Sequence, residues 1–379
     1  MAKQTFKILV LPGDHAGPEV MEAALQVLDT IEKCRPSLQF ERTTGLVGGC
    51  SLDKHGVAIT EEVLQQASES NGTLFGSVGG PEWADHSPNP ESGILALRKK
   101  LNAFANLRPC EIIVPSLVDA SPIKADKVRG TKFIVVRENC GGAYFGDKVE
   151  EENIASDLWV YTTPEIERLS RVSAAVARIM GADGDGKGSK GKPAVVWSAD
   201  KANVLASGRL WRRITQNTFD TEFKDITLKH QLADSMAMLM VADPRRFNGV
   251  IHTDNTFGDV LSDISGAIVG TLGTLPSASI SGVPGEGPCN GIYEPVHGSA
   301  PDIAGKGVAN PTAQILSLAL LLRYSCGLIE EAAAIESAVA KVLDSKDAGG
   351  LGIRTGDLGG SATTKEMGSA VCKELEALL

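Results

Sequence analysis

The stretch "KILVLPGDHAGPEVMEAALQVLDTIEKC", residues 7–34, decides the fold class. Its opening run Lys7–Leu11 is apolar after the lysine, too short for a helix and bounded by Pro12 and Gly13, so it predicts a buried strand. Beyond that turn, Pro18 suits the first turn of a helix, and Val20, Ala24, Val27, Leu28 and Ile31 recur at helical spacing. Strand, tight turn and amphipathic helix make a β-α unit. The pattern repeats: "GTLFGSVGGP" (72–81) is again a strand running into glycines, and "ESGILALRKKLNAFANLRP" (91–109) reads as helix then strand. The runs "KFIVVREN" (132–139), "PAVVWSAD" (193–200) and "NGVIHTDN" (248–255) are strand-like and end in polar residues. Helical periodicity covers 164–181, 201–217, 231–241, 259–270, 311–325 and 329–343. Such alternation predicts an α/β protein, where polar residues at the carboxyl ends of strands mark the usual place for a site. The segment "GKGSKG" (186–191) has G-x-G-x-x-G spacing but lies between a helix and a strand. The dinucleotide fingerprint must join a strand to a helix, so this one reads as a surface insertion and the fold is expected not to be a true Rossmann fold.

Composition bounds the function. The chain has 379 residues, 42% apolar and 22% charged, enough for one large or two ordinary soluble domains. A formal charge of -10 argues against nucleic acid or an anionic membrane as partner, and an acidic substrate then requires a local basic pocket. Seven scattered cysteines with no C-x-x-C pair read as reduced thiols, which predicts a cytoplasmic setting. The N-terminus has neither a signal-peptide nor a transit-peptide pattern, and no run approaches the roughly 18 apolar residues of a membrane span.

Several side chains stand out for their chemistry. Arg98, Arg108 and Arg137 carry the group best suited to bidentate recognition of carboxylates. In "FGDVLSD" (257–263), Asp259 and Asp263 fall one helical turn apart, a repulsion of about a few tenths of a kcal/mol that something should offset. Val260, Leu261, Ile264, Ala267 and Ile268 make that helix largely apolar, and two carboxylates on a buried helix point to an oxygen cage for Mg²⁺ or Mn²⁺, with Asp234 as a third member. Lys201 directly follows a strand; enclosed among cations it would serve as a base. Tyr144 sits in the glycine-rich "GGAYFG", and "YEPVHGSAPDIAGKGVANP" (293–311) is a long irregular loop whose glycines allow backbone to approach a ligand.

Taken together, "LPGDHAGPEV", "GSVGGPEW", "LRKKLNAFANLRP", "GGAYFG", "DKANVL", "FGDVLSD", "GTLGTLPSAS" and "EPVHGSAPDIAGKGVANP" resemble, in order and over nearly the whole chain, the isocitrate/isopropylmalate (decarboxylating β-hydroxyacid) dehydrogenases. "GDHAGPEV" and "GGSATTKEMGSAV" are similar to the fungal cytosolic branch of its isopropylmalate enzymes. The resemblance implies a two-domain fold, 1–103 with 270–379 and 104–269, with the active site in the cleft between them. It implies NAD-dependent oxidative decarboxylation of (2R,3S)-3-isopropylmalate to 4-methyl-2-oxopentanoate, a step of leucine biosynthesis, or of another aryl- or alkylmalate; a non-catalytic regulatory subunit is the remaining alternative.

Residue by residue, it implies that Arg98, Arg108 and Arg137 clamp the substrate's carboxylates. Glu91, Ile94 and Leu95 meet its alkyl group, Tyr144 protonates the enolate, and Asp259, Asp263 and the partner subunit's Asp234 hold Mg²⁺ or Mn²⁺. Lys201, also supplied by the partner of a homodimer, takes the hydroxyl proton. Val78, Gly79, Gly80, Pro81 and Glu91, then His297, Gly298, Ser299, Ala300, Asp302, Ala309, Asn310 and Asp357, line the cofactor. An acidic Asp302 at the ribose accepts from its hydroxyls and repels a 2′-phosphate, favouring NAD over NADP. Asn139, Cys140 and Asp254 depart from the pattern of the isopropylmalate branch.

Overall fold

The computed structural model describes residues 3–182 and 191–379; the expected surface insertion at 186–191 falls almost wholly outside them. The strands are β1 (Gln4–Gly13), β2 (Leu38–Thr44), β3 (Gly72–Ser77), β4 (Ala105–Glu111), β5 (Lys132–Glu138), β6 (Lys148–Glu151), β7 (Ile154–Asp157), β8 (Val196–Asp200), β9 (Leu228–Leu232), β10 (Gly249–Thr253), β11 (Pro276–Ile280) and β12 (Gly291–Pro295). The helices are α1 (Gly17–Cys34), α2 (Gly49–His55), α3 (Glu61–Glu69), α4 (Ser92–Leu101), α5 (Ala125–Val128), α6 (Thr163–Ala182), α7 (Ala206–Glu222), α8 (Ala233–Ala242), α9 (Asn255–Val269), α10 (Thr312–Tyr324), α11 (Ile329–Leu343) and α12 (Thr364–Leu378).

Ten strands form one sheet in the order β2-β1-β3-β12-β11-β4-β5-β10-β8-β9, and β6 and β7 pair apart as a hairpin. Strands β2, β1, β3 and β12 run parallel, as do β5, β10, β8 and β9. Between these runs, β11 and β4 pair antiparallel to their neighbours, so the sheet reverses direction at its centre. An all-parallel nucleotide-binding sheet has no such reversal. The strands of 1–103 and 270–379 make one side of the sheet and those of 104–269 the other.

The expected β-α unit is present as β1 and α1. Val20, Ala24, Val27, Leu28 and Ile31 are all buried, and α1 packs with α10, α11 and α12 in the largest apolar cluster. A second cluster beneath α8 and α9 gathers Phe133, Val135, Met236, Met240, Ile251, Leu261 and Ile268. Asp200 and Thr253 end the strands β8 and β10 and Arg137 is the last residue but one of the adjacent β5, with Arg137 in register with Thr253 and Thr253 with Ala199. The carboxyl ends of these strands therefore bring Arg137 and the start of α9 to neighbouring positions, with Lys201 one strand farther along.

Two expectations need correction. The helix read from residue 201 begins at Ala206; residues 201–205 form a turn in which the Asp200 carboxylate accepts from Ala202 N at 2.9 Å. Side-chain capture of a backbone N–H is what delays the helix there. The helix α9 is not buried all round. Leu261, Ser265 and Ile268 face inward, but Val260 is 54% exposed and Asp263 lies open to solvent.

Candidate active site

Arg137 is the centre of the site. Its side chain is nearly buried, its Nε donates to Asn255 Oδ1 at 2.9 Å, and its Nη1 pairs with Asp259 Oδ1. A guanidinium so enclosed needs acceptors on every edge. Gly258 makes the approach feasible, because a Cβ there would sit 2.5 Å from Arg137 Cγ. Tyr144 completes a triangle: its hydroxyl donates to the other oxygen of Asp259 at 2.9 Å, and its ring centroid lies 6.0 Å from the Arg137 guanidinium carbon. Partial burial and the bond to Asp259 both raise the Tyr144 pKa, so the phenol keeps its proton.

The other two arginines lie close by. Arg98 donates from Nη2 to Glu294 Oε1 at 2.9 Å, and Arg108 from Nε to Asn106 Oδ1 at 3.0 Å. Burial, opposed by Glu294 and reinforced by Arg98 and Arg137, holds Arg108 below its ordinary pKa. Three guanidiniums within mutual electrostatic reach form the basic pocket that a chain of charge -10 needs for an acidic substrate. A cavity of about 640 Å³ opens beside them, with Leu95, Arg98, Arg137, Cys140, Tyr144 and Asn255 in its wall. Arg108 and Asp263 line a different cavity, of about 730 Å³, that shares no lining residue with the first. The expected pair Ile94 and Leu95 is split: Leu95 is 57% exposed at the cavity, whereas Ile94 is packed with Leu9, Leu11 and Phe75 in the core, because successive helix positions lie about 100° apart.

Lys201 and Asp234 form a separate group. Their side chains pair at 2.6 Å, and the lysine lowers the Asp234 pKa. Among the described residues, no hydrogen bond or ion pair joins them to Arg137, Tyr144 or Asp259, and Asp234, Asp259 and Asp263 do not gather into a metal cage within one chain.

A second arrangement surrounds the first β-α turn. Buried Asp14 accepts from Gly49 N and Gly79 N through Oδ2, and from Cys50 N through Oδ1, all at 2.8 Å. Ser299 Oγ donates to Gly79 O at 2.6 Å, and Ala16 N donates to Ser299 O at 2.9 Å. These bonds tie the turn at 14–16, Val78–Pro81 and the 297–302 loop into one cradle, with Glu91 against Gly79. His297 Nδ1 lies 2.9 Å from the carbonyl of Gly298, which can only accept, so Nδ1 carries the proton. Burial lowers the His297 pKa, and its Nε2 is left as a buried acceptor with no partner among the described residues. Asp302 is exposed beside Ala300, which has a positive φ of 46°. Buried Ala309 and Asn310 follow, and Asn310 Nδ2 donates to Asp357 Oδ2 at 3.0 Å.

Glu294, Asn255 and Asp14 escaped the sequence reading. Asp14 stands in the quoted β-α turn, where an acidic side chain facing backbone amides was a readable signal; nothing near Glu294 or Asn255 in the sequence marks their partners, which lie 196 and 118 residues away.

The family model for isocitrate/isopropylmalate dehydrogenase matches residues 7–371. The chain is 71% identical over 376 residues to a 3-isopropylmalate dehydrogenase of Hapsidospora chrysogena, covering 99% of this chain and 98% of that one. It is 48% identical over 377 residues to the enzyme of that name in Schizosaccharomyces pombe, covering 98% and 99%. Among solved structures, isocitrate dehydrogenase from Methylococcus capsulatus superposes with a TM-score of 0.78 at 29% identity, covering 98% of this chain and 99% of that one. The apo β-decarboxylating dehydrogenase of Thermococcus kodakarensis gives 0.78 at 31%, covering 98% and 96%.

Proposed function

Because the chain belongs to the isocitrate/isopropylmalate dehydrogenase family and is a decarboxylating dehydrogenase, we propose that it performs the NAD-dependent oxidative decarboxylation of (2R,3S)-3-isopropylmalate to 4-methyl-2-oxopentanoate in leucine biosynthesis. The observation that carries the reading is the Arg137–Asp259–Tyr144 triangle at the mouth of a cavity that also receives Arg98. It combines a carboxylate-binding group, a hard oxygen donor and a protonated acid, three of the functions that the reaction requires.

The residues fit the groups the reaction needs. His297 Nε2, buried and without a partner among the described residues, suits an N–H or O–H donor of a dinucleotide, and the exposed carboxylate of Asp302 favours NAD over NADP. Asp259 and Asp263, a turn apart on the open face of α9, offer the carboxylate oxygens that Mg²⁺ or Mn²⁺ takes. Bound there, NAD supplies a hydride acceptor and the divalent ion a Lewis acid.

The chain's own groups do the rest. Arg98, Arg108 and Arg137 grip the two malate carboxylates and Leu95 meets the alkyl substituent. Lys201, as the neutral amine, receives the hydroxyl proton as the C2 hydrogen leaves with its electron pair, giving a β-keto acid. Loss of the β-carboxyl as CO₂ leaves its bonding pair as an enolate, and Tyr144 gives its phenolic proton to C3. Since Lys201 and Asp234 lie apart from the triangle within one chain, the complete site draws them from the second subunit of a homodimer. The open apolar side chains of Met238, Val241 and Val260 on α8 and α9 support such an interface. The cleft lies between the two domains 1–103 with 270–379 and 104–269.

Steady-state kinetics with 3-isopropylmalate, malate, isocitrate, homoisocitrate and an arylmalate test the reading, with NAD against NADP and with Mg²⁺ removed by a chelator. Isopropylmalate should give the highest kcat/KM, and a better value for any competitor sinks the substrate assignment. Asn139 and Cys140 beside Leu95, in a cavity of about 640 Å³, favour a second reading in which a bulkier substituted malate is the preferred substrate.

A further inference from the structure

Asn255 occupies a place that no step above uses. It is the first residue of α9 after its cap Asp254, and it is 1% exposed. Its amide is divided between two elements. The oxygen Oδ1 accepts from Arg137 Nε at 2.9 Å, while Nδ2 donates to Gly141 O at 3.0 Å. Its backbone N donates to Tyr161 Oη at 2.9 Å. Gly141 caps the single turn Gly142–Tyr144 that carries the proposed acid. Tyr161 presses against the same backbone: a Cβ on Gly142, whose φ is +74°, would lie 2.3 Å from the Tyr161 hydroxyl. Asn255 and Tyr161 thus bracket the Gly141–Gly142 link, and the bonds close a ring from Arg137 through Asn255, Gly141, Tyr144 and Asp259 back to Arg137.

We propose that Asn255 is a positioning residue that fixes Tyr144 relative to Arg137, so that a substrate gripped by the arginine presents C3 to the phenol; this rests on the reading of Tyr144 as the acid. The two arms have opposite polarity, so only a primary amide serves both. Aspartate, which has nearly the same shape, keeps the acceptor for Arg137 but sets a second oxygen against Gly141 O. The two arms can therefore be separated in one substitution.

In the homodimeric enzyme, Asn255→Asp should leave the KM for 3-isopropylmalate within about 3-fold of the parent while kcat falls about 10²-fold, the scale of a roughly 1 Å displacement of a reacting group. A purely structural role would not move a second readout. In D₂O the phenol carries deuterium, and the parent should deliver it to one face of C3, whereas Asn255→Asp should scatter it over both. Tyr144→Phe is the benchmark and should scatter it fully. Asn255→Ser, too short for either arm, should raise KM as well. If Asn255→Asp fails to fold by circular dichroism, Tyr161→Phe, which removes only the hydroxyl bonded to Asn255 N, should show the same loss of facial selectivity in milder form. Parent-like selectivity and kcat in Asn255→Asp, or parent-like selectivity in Tyr161→Phe where that variant has to serve, overturn the inference. Selectivity retained in Tyr144→Phe overturns the assignment of the acid instead.

Discussion

At the scale of single residues, the site runs on burial set against pairing, and Asp254 shows the balance. It caps α9 by accepting from Phe257 N at 2.9 Å, yet burial pushes its carboxyl up to about 7. A raised acid is stabilising only where the folded form can hold its proton. Its contribution is complete below the unfolded value near 4 and is lost as pH rises through about 7. Asparagine keeps the capping oxygen and never ionises. Asp254→Asn should therefore be close to neutral near pH 4 and should gain on the parent up to about pH 8, by an amount on the order of 4 kcal/mol. Urea midpoints at pH 5 and 8 measure this; an equal gap at both pH values would dismiss the cause given. The chemistry-bearing residues were legible because their types are few and their segments distinctive: Arg137 after four apolar residues, Asp259 and Asp263 a turn apart. What holds them was not, since Asn255 and Glu294 are ordinary polar residues until the chain brings an arginine to each.

Among the elements, those with a strong period were readable and those defined by their surroundings were not. The helices α6, α10 and α11 fall within two residues of the segments their apolar spacing marks. The terminal helix α12 passed unread although Thr363 and Glu366 form a capping box in "TTKE", a local signal that the period alone does not include. The high apolar content of α9 predicts a buried helix, but composition does not say which face is covered. Val260 on α9 and Met238 and Val241 on α8 stay 54%, 64% and 56% exposed, and the two helices pack against each other. Side chains of that kind on neighbouring helices are expected to meet their copies in a second subunit. Met238→Glu should then place two like charges in the interface, shift the protein from dimer to monomer in sedimentation, and abolish turnover while leaving the far-UV spectrum unchanged. A monodisperse dimer with parent activity would assign the apolar face to something else.

For the whole molecule, the central reversal of the sheet at β11 and β4 separates two parallel runs, each of which reads as ordinary α/β sequence. No local pattern announces that reversal, because strand direction depends on how the connections return and not on side-chain alternation. Nor does any local pattern say which chain completes a site. The separation of the Lys201–Asp234 pair from the Arg137–Asp259–Tyr144 triangle yields a test that a single chain cannot satisfy. If each site takes Asp259 from one subunit and Lys201 from the other, a dimer of Lys201→Ala with Asp259→Asn contains one site with both defects and one with neither. Unfolding and refolding an equal mixture of the two inactive variants gives hybrids as half of all dimers, each with one intact site of two, so about a quarter of parental activity should return. Either variant refolded alone should stay inactive. Were each site built from one chain, every site in the hybrid would keep a single defect and no activity would reappear, so the recovered fraction alone distinguishes a shared site from a self-contained one.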